Sequence, residues 1–186
     1  MSFRTEFPNV PGEPKEIDPL ERAMLAMSYG VHVIGSCDSE GSMNAMIADW
    51  VMQVSFKPRL VAVSIENDAR TLRYVRDTGV YSVNMLHEKD GMDIARKVVM
   101  PSEGRKVRGR TSQSEVVHHK LEGLDYVVHE NGTPLLQDAL GWYTCEVRDF
   151  YEVGDHTLAI GEVTDGDVIR SGDMLVERDL GWEYAG

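Results

Sequence analysis

The sequence predicts a mainly β fold, antiparallel and barrel-like, with a few helices. Three observations carry this. Short apolar runs follow one another closely between residues 31 and 65, at spacings that suit hairpins and not alternating β and α units. A second pair of runs, Tyr143–Phe150 and Thr157–Val163, flanks the turn Val153-Gly154-Asp155-His156. No period repeats along the 186 residues, and composition (42% hydrophobic, 27% charged) suits one globular core.

Four of the seven prolines fall in the first nineteen residues, so 1–17 reads as an extended arm, either loose or lying across a neighbouring subunit, and 18–186 as a single domain. Asp18-Pro19-Leu20-Glu21 is a helix start, with Asp18 as N-cap, Pro19 at the first position and Glu21 reaching back. Leu20, Ala23, Met24 and Met27 share one face of that helix, and Gly30 ends it. Strands are expected at Val31–Cys37, Ser42–Ala48, Val51–Phe56 and Leu60–Ile65, then a helix Arg70–Asp77, a strand Val80–Leu86 and a helix near Met92–Val99. A polar loop, Ser102–Ser114, follows, and Asn131-Gly132 marks a turn.

The net charge of −12 disfavours nucleic acid and anionic membranes as partners, and no apolar run reaches the length of a membrane-spanning helix. A secretory signal is not visible, and Cys37 and Cys145 lack metal-ligand spacing, which suits a reducing cytoplasm. A small-molecule partner is therefore expected.

The richest stretch is NAMIADWVMQVSFKPRLVAVSIENDART, Asn44 to Thr71. Small side chains at Ala45 and Ala48, within Asn44-Ala45-Met46-Ile47-Ala48-Asp49-Trp50, let backbone groups approach the edge of a flat ring, and Trp50 offers an aromatic wall. Asn44 can meet a polar ring edge. Asn67 or Asp68 reads as the N-cap of the next helix, which puts Arg70 and Thr71 in a first turn where N–H groups and the dipole attract phosphate. A flat ring, a polar edge and a phosphate together describe FMN.

The motifs YGVHVIGS (Tyr29–Ser36), NAMIADWVMQVS, ENDART, GVYSVNML (Gly79–Leu86) and GDHTLAIGEV (Gly154–Val163) stand in one order, and with them the chain resembles the flavin reductase-like family of FMN-binding split-barrel proteins. The resemblance runs from Leu25 to Leu86 and from Gly141 onward, and is weakest over Pro101–Asn131. It implies an antiparallel, Greek-key-like split β-barrel that binds FMN at a homodimer interface. It also implies hydride transfer from NAD(P)H to the flavin, with electrons passing to a monooxygenase or another acceptor. Carried over residue by residue, it assigns FMN contacts to Asn44 through Trp50, Asn67, Arg70, Thr71 and Asn84, and assigns His156 to the nicotinamide.

Each assignment stands beside a plainer one. His156 can be an exposed residue of an ordinary hairpin tip, Asn84 can satisfy a neighbouring strand, and Trp50 can be a packed aromatic near the cofactor. Arg105, Lys106, Arg108 and Arg110 read either as a phosphate-receiving loop or as a solvated one. His118-His119 point to opposite faces of a strand and have no further ligands at useful spacing, so no metal is assigned. The rival function is an FMN-binding electron carrier that does not use nicotinamide.

Overall fold

A computed structural model describes residues 19–99 and 119–180. The arm, Asp18, the basic cluster and His118 lie outside the described residues. The elements are α1 (Pro19–Met24), β1 (His32–Cys37), β2 (Met43–Ala48), β3 (Val51–Phe56), β4 (Arg59–Glu66), α2 (Arg70–Thr78), β5 (Val80–Met85), α3 (Gly91–Val98), β6 (Tyr126–Val128), β7 (Pro134–Leu136), β8 (Gly141–Val153), β9 (His156–Val168) and α4 (Glu177–Leu180).

Seven strands form one antiparallel sheet in the order β2-β1-β5-β8-β9-β4-β3, and β6 and β7 form a separate hairpin. The sheet is mainly antiparallel, as expected, and is not closed by a ladder: β2 and β3 are its edges. The chain passes from one edge to the other through Asp49-Trp50 alone. A two-residue link is too short to separate the edges, so the sheet must curl until they meet at this corner.

The core explains why β1 is apolar throughout. All six of its residues are buried, and successive side chains serve opposite faces. Val33 joins Ala45, Leu86, Ile94 and Val98 in one cluster, while Ile34 joins Val63, Leu72, Val75 and Tyr81 in the other. The buried residues of α3 thus cover one face and those of α2 the other. Lys57-Pro58 joins β3 to β4, as read from the sequence.

The strands β8 and β9 are thirteen residues each, longer than predicted. Asp165-Gly166-Asp167 has the composition of a loop, yet it pairs with Trp142–Thr144 across bulged ladders. Their hairpin is the expected one. Gly154 (φ +62°) and Asp155 make its two-residue loop, with Val153 opposite His156.

Helix α1 is shorter than predicted. It stops at Met24 and continues as turns, and Leu20 is 79% exposed. A helix this short gains little stability from its own hydrogen bonds. The β6–β7 hairpin turns through Asn131-Gly132, as the sequence predicts, while its two short strands were not expected; Leu135 and Leu136 are buried.

Candidate functional site

The Asp49-Trp50 corner opens onto a cavity of about 200 Å³. Met46, Ile47, Ala48, Asp49 and Trp50 line it from the corner, and His156 from the tip of the β8–β9 hairpin. Pairing of β4 with β9 places the hairpin tip there, since Glu66 stands opposite His156. The Trp50 and His156 rings meet at 5.1 Å between centroids. The His156 side chain is 13% exposed, and its Nδ1 lies 2.7 Å from the Asp155 carboxylate. The ring is therefore packed and oriented, unlike a freely exposed turn residue.

Six of the predicted site residues come together at this cavity. The other six do not line it, and their geometry gives the reasons. Ala45 is fully buried in the core. Asn44 and Thr71 are buried and spend polar groups on each other: the Asn44 amide donates to the Thr71 hydroxyl at 2.9 Å, tying β2 to α2. Asn67 staples the start of α2 to the hairpin tip. Its amide donates to the Gly154 carbonyl at 3.2 Å, and the Thr157 hydroxyl donates to its oxygen at 2.7 Å. The N-cap reading is corrected accordingly. The cap is Ala69, with no side-chain hydrogen bond, because Asn67 is engaged elsewhere. Arg70 and Thr71 do occupy the first turn.

Asn84 is fully buried, and both ends of its amide are taken by the protein. Its nitrogen donates to the carbonyls of Val33 (3.1 Å) and Pro134 (3.3 Å), and its oxygen accepts from the Leu136 N–H at 2.8 Å. Of the two roles open to it, the geometry is that of a brace holding β7 against β5.

Six lining residues were not assigned to the site from the sequence: Val31, Ser64, Glu66, Val99, Glu177 and Leu180. Val31 and Glu177 meet there because the chain segments around them pair: Val31 N–H donates to Leu175 O at 2.8 Å, and Glu177 N–H donates to Tyr29 O at 2.9 Å. Burial holds the Glu177 carboxyl above the usual carboxylate range, and the charge of Asp49 adds to this. Burial likewise raises Asp49, opposed by backbone N–H groups and by His156. Beneath the corner, His32 is buried and shares a hydrogen bond with the Ala48 carbonyl at 3.2 Å; burial pushes it down to about 4.

The cavity thus has a mostly apolar lining, one aromatic wall and an imidazole at its rim, residue types that suit a flat ring, and it is set in an antiparallel β protein. The chain belongs to the flavin reductase-like domain family, whose model matches residues 24–179. It is similar to the ferric-chelate reductase (NAD(P)H) of Archaeoglobus fulgidus, at 28% identity over 84% of this chain and 86% of that one. An NADH-dependent flavin reductase of a Rhodococcus species is 30% identical over 80% of this chain and 78% of its own length. Among solved structures, flavin reductase PheA2 in its native state superposes with a TM-score of 0.67 at 30% identity, covering 86% of this chain and 92% of that one.

Proposed function

We propose that this chain is an NAD(P)H-dependent flavin reductase that holds FMN at the Asp49-Trp50 corner of a split β-barrel homodimer. The observation that carries this is the Trp50–His156 contact, which closes the cavity with the residue types a flat ring needs. Family membership supplies the reaction class.

The residues fit the cofactor's chemistry. Met46, Ile47, Ala48 and Trp50 give an apolar and aromatic surface, and α2 begins without a side-chain cap beside Arg70, which suits a phosphate. The cavity of about 200 Å³ is smaller than the roughly 300–1,000 Å³ of ordinary ligand sites, so further walls are required. A second subunit supplies them in this reading. Exposed apolar side chains on edge strand β3, Met52 at 65% and Phe56 at 84%, support such a neighbour.

When bound, FMN supplies the hydride-accepting ring. The chain's own residues bind, orient and shield. Trp50 and Ala48 fix the ring position, Arg70 and the start of α2 hold the phosphate, and His156, oriented by Asp155, contacts the nicotinamide. Electrons then pass to a small acceptor such as a ferric chelate or to a flavin-dependent partner enzyme. A cytoplasmic setting fits this traffic.

The test is anaerobic. Protein loaded with FMN is mixed with NADH or NADPH, and the visible flavin band is followed. Rapid bleaching is expected. Bound FMN that neither nicotinamide bleaches would establish the electron-carrier alternative, and failure to bind FMN would remove the proposal.

A further inference from the structure

Part of the cavity lining comes from outside the seven-stranded sheet. Val99 reaches it from the C-cap of α3, and Glu177 and Leu180 reach it from α4. These residues belong to two stretches far apart in the chain, so one stretch must be fixed against the other. Apolar packing does part of this, since Ile94, Ala95 and Val98 of α3 share a core cluster with Leu175 and Leu180. Such packing is non-directional and does not by itself set an angle.

The chain that leaves β9 forms a strap, residues 169–176, leading to α4. Backbone pairing seats it against the sheet: the Leu175 N–H donates to the Leu86 carbonyl at 2.8 Å, and the Leu175 carbonyl accepts from the Val31 N–H at 2.8 Å. The link from the strap to α3 is made by side chains. Asp90 stands at the N-cap position of α3, yet its carboxylate makes no cap hydrogen bond. It is spent on Arg170 of the strap, which donates from Nη2 to Oδ2 at 2.7 Å and from Nη1 to Oδ1 at 3.1 Å. Nη1 also donates to the Asp138 carbonyl at 2.8 Å. Hydrogen bonding by Arg170 holds the Asp90 carboxyl below the usual carboxylate range.

The neighbouring strap residue is tied as well. His87 is 2% exposed and accepts the Lys89 N–H on Nδ1 at 3.1 Å, so its Nε2–H donates to the Ser171 carbonyl at 3.1 Å. A two-point guanidinium–carboxylate pair fixes direction as well as distance. Asp90 and Val99 flank α3, about 13 Å apart at the helical rise, so a small tilt at the pair becomes a larger displacement at the cavity.

We propose that Arg170 and Asp90 are positioning residues for the flavin site: their ion pair sets the angle between α3 and the strap, and through it the part of the cavity formed by Val99, Glu177 and Leu180. This rests on the reading that places the flavin ring at the Asp49-Trp50 corner. Neither residue lines the cavity, so losing the pair loosens the hold on the ring and leaves the phosphate contacts in place.

The experiment is fluorescence titration of the full chain with FMN and with riboflavin, which lacks the phosphate. In Arg170→Ala both dissociation constants are expected to rise by the same factor, about three- to fivefold, the upper range for an ion pair near the surface. Asp90→Asn should do the same, and it supplies the measurement if Arg170→Ala does not fold. Asp90→Glu, which keeps the charge, should retain most of the affinity. In a Leu180→Ala background Arg170→Ala should add nothing, because the contact it positions is already gone. Unchanged affinity for both flavins in Arg170→Ala and Asp90→Asn, with Trp50→Ala weakening both, would overturn the positioning role and leave the pair a structural brace. So would weakening of FMN without riboflavin, or an additive effect in the Leu180→Ala background. Wild-type affinity in Trp50→Ala as well would overturn the corner as the flavin site, and this inference with it.

Discussion

The Trp50 indole and the His156 imidazole meet at 5.1 Å between ring centroids with planes tilted by 46°, joining the β2–β3 corner to the tip of the β8–β9 hairpin. Two residues far apart in the chain thereby define one wall and one rim of the same cavity. His156→Ala should leave FMN bound and lower the rate of flavin reduction by NAD(P)H by about a hundredfold at most, the lower range for a positioned side chain. Trp50→Ala should instead weaken FMN binding. Stopped-flow reduction and fluorescence titration separate the two effects, and wild-type values for both in His156→Ala would return His156 to a turn role.

The double variant Arg70→Ala with Thr71→Ala should lose FMN affinity while riboflavin, which lacks the phosphate, binds as before. Because Thr71 accepts the Asn44 amide at 2.9 Å, the single Thr71→Ala change also leaves a buried donor unsatisfied, costing about 1–3 kcal/mol of stability. Chemical denaturation measures that cost. Unchanged FMN affinity in the double variant would remove α2 from the phosphate site.

Asn84→Ala removes an amide that bonds Val33, Pro134 and Leu136. The expected result is a loss of about 2–3 kcal/mol in urea unfolding, since backbone groups at a buried strand junction lose their partner. FMN affinity of the folded protein should stay at the wild-type value. Weakened FMN binding at wild-type stability would instead place Asn84 in the site.

His32 makes stability depend on pH in a defined window. Its folded value is pushed down from 6.5 to about 4, so between these two pH values the unfolded chain binds a proton that the folded chain does not. Stability contributed by neutral His32 is present above pH 6.5, falls as pH drops towards 4, and is lost by about 3 kcal/mol below it. Asp49 and Glu177, both raised, give the opposite slope, so the measurement is the difference between wild type and His32→Asn across this range. Parallel stability curves would show that His32 does not titrate in this way.

Gly161 sits where a Cβ would lie 2.5 Å from the Tyr81 hydroxyl and 2.7 Å from the Cys145 Cβ. Tyr81 is itself fixed by a hydrogen bond to the Val61 carbonyl at 3.2 Å. Gly161→Ala should therefore destabilise the sheet by about 1–3 kcal/mol, the scale of overpacking a filled core. A thermal midpoint equal to wild type would show that the tyrosine yields freely.

Much of this was legible in the chain because it is local. Val-, Ile- and Ala-rich runs gave β1 to β5, and Gly154-Asp155 gave the hairpin. The break between the runs Ser42–Ala48 and Val51–Phe56 fell at Asp49-Trp50, where the corner lies. What misled was local preference meeting a distant partner. Asn67 has the side chain of an N-cap, yet Gly154 and Thr157 claim it. Asp165-Gly166-Asp167 has the composition of a loop and lies in a strand.

The sequence by itself determined the strand run, the hairpin and the family, because each is written in the spacing of neighbouring residues. Only the tertiary structure decided which side chains share the cavity. Glu177 joins Asp49 there because Tyr29 and Val31 pair with the segment around Leu175, and Asn84 turns to the core because β7 lies across it. Such meetings depend on long-range pairing and burial, which leave no periodicity in the chain itself.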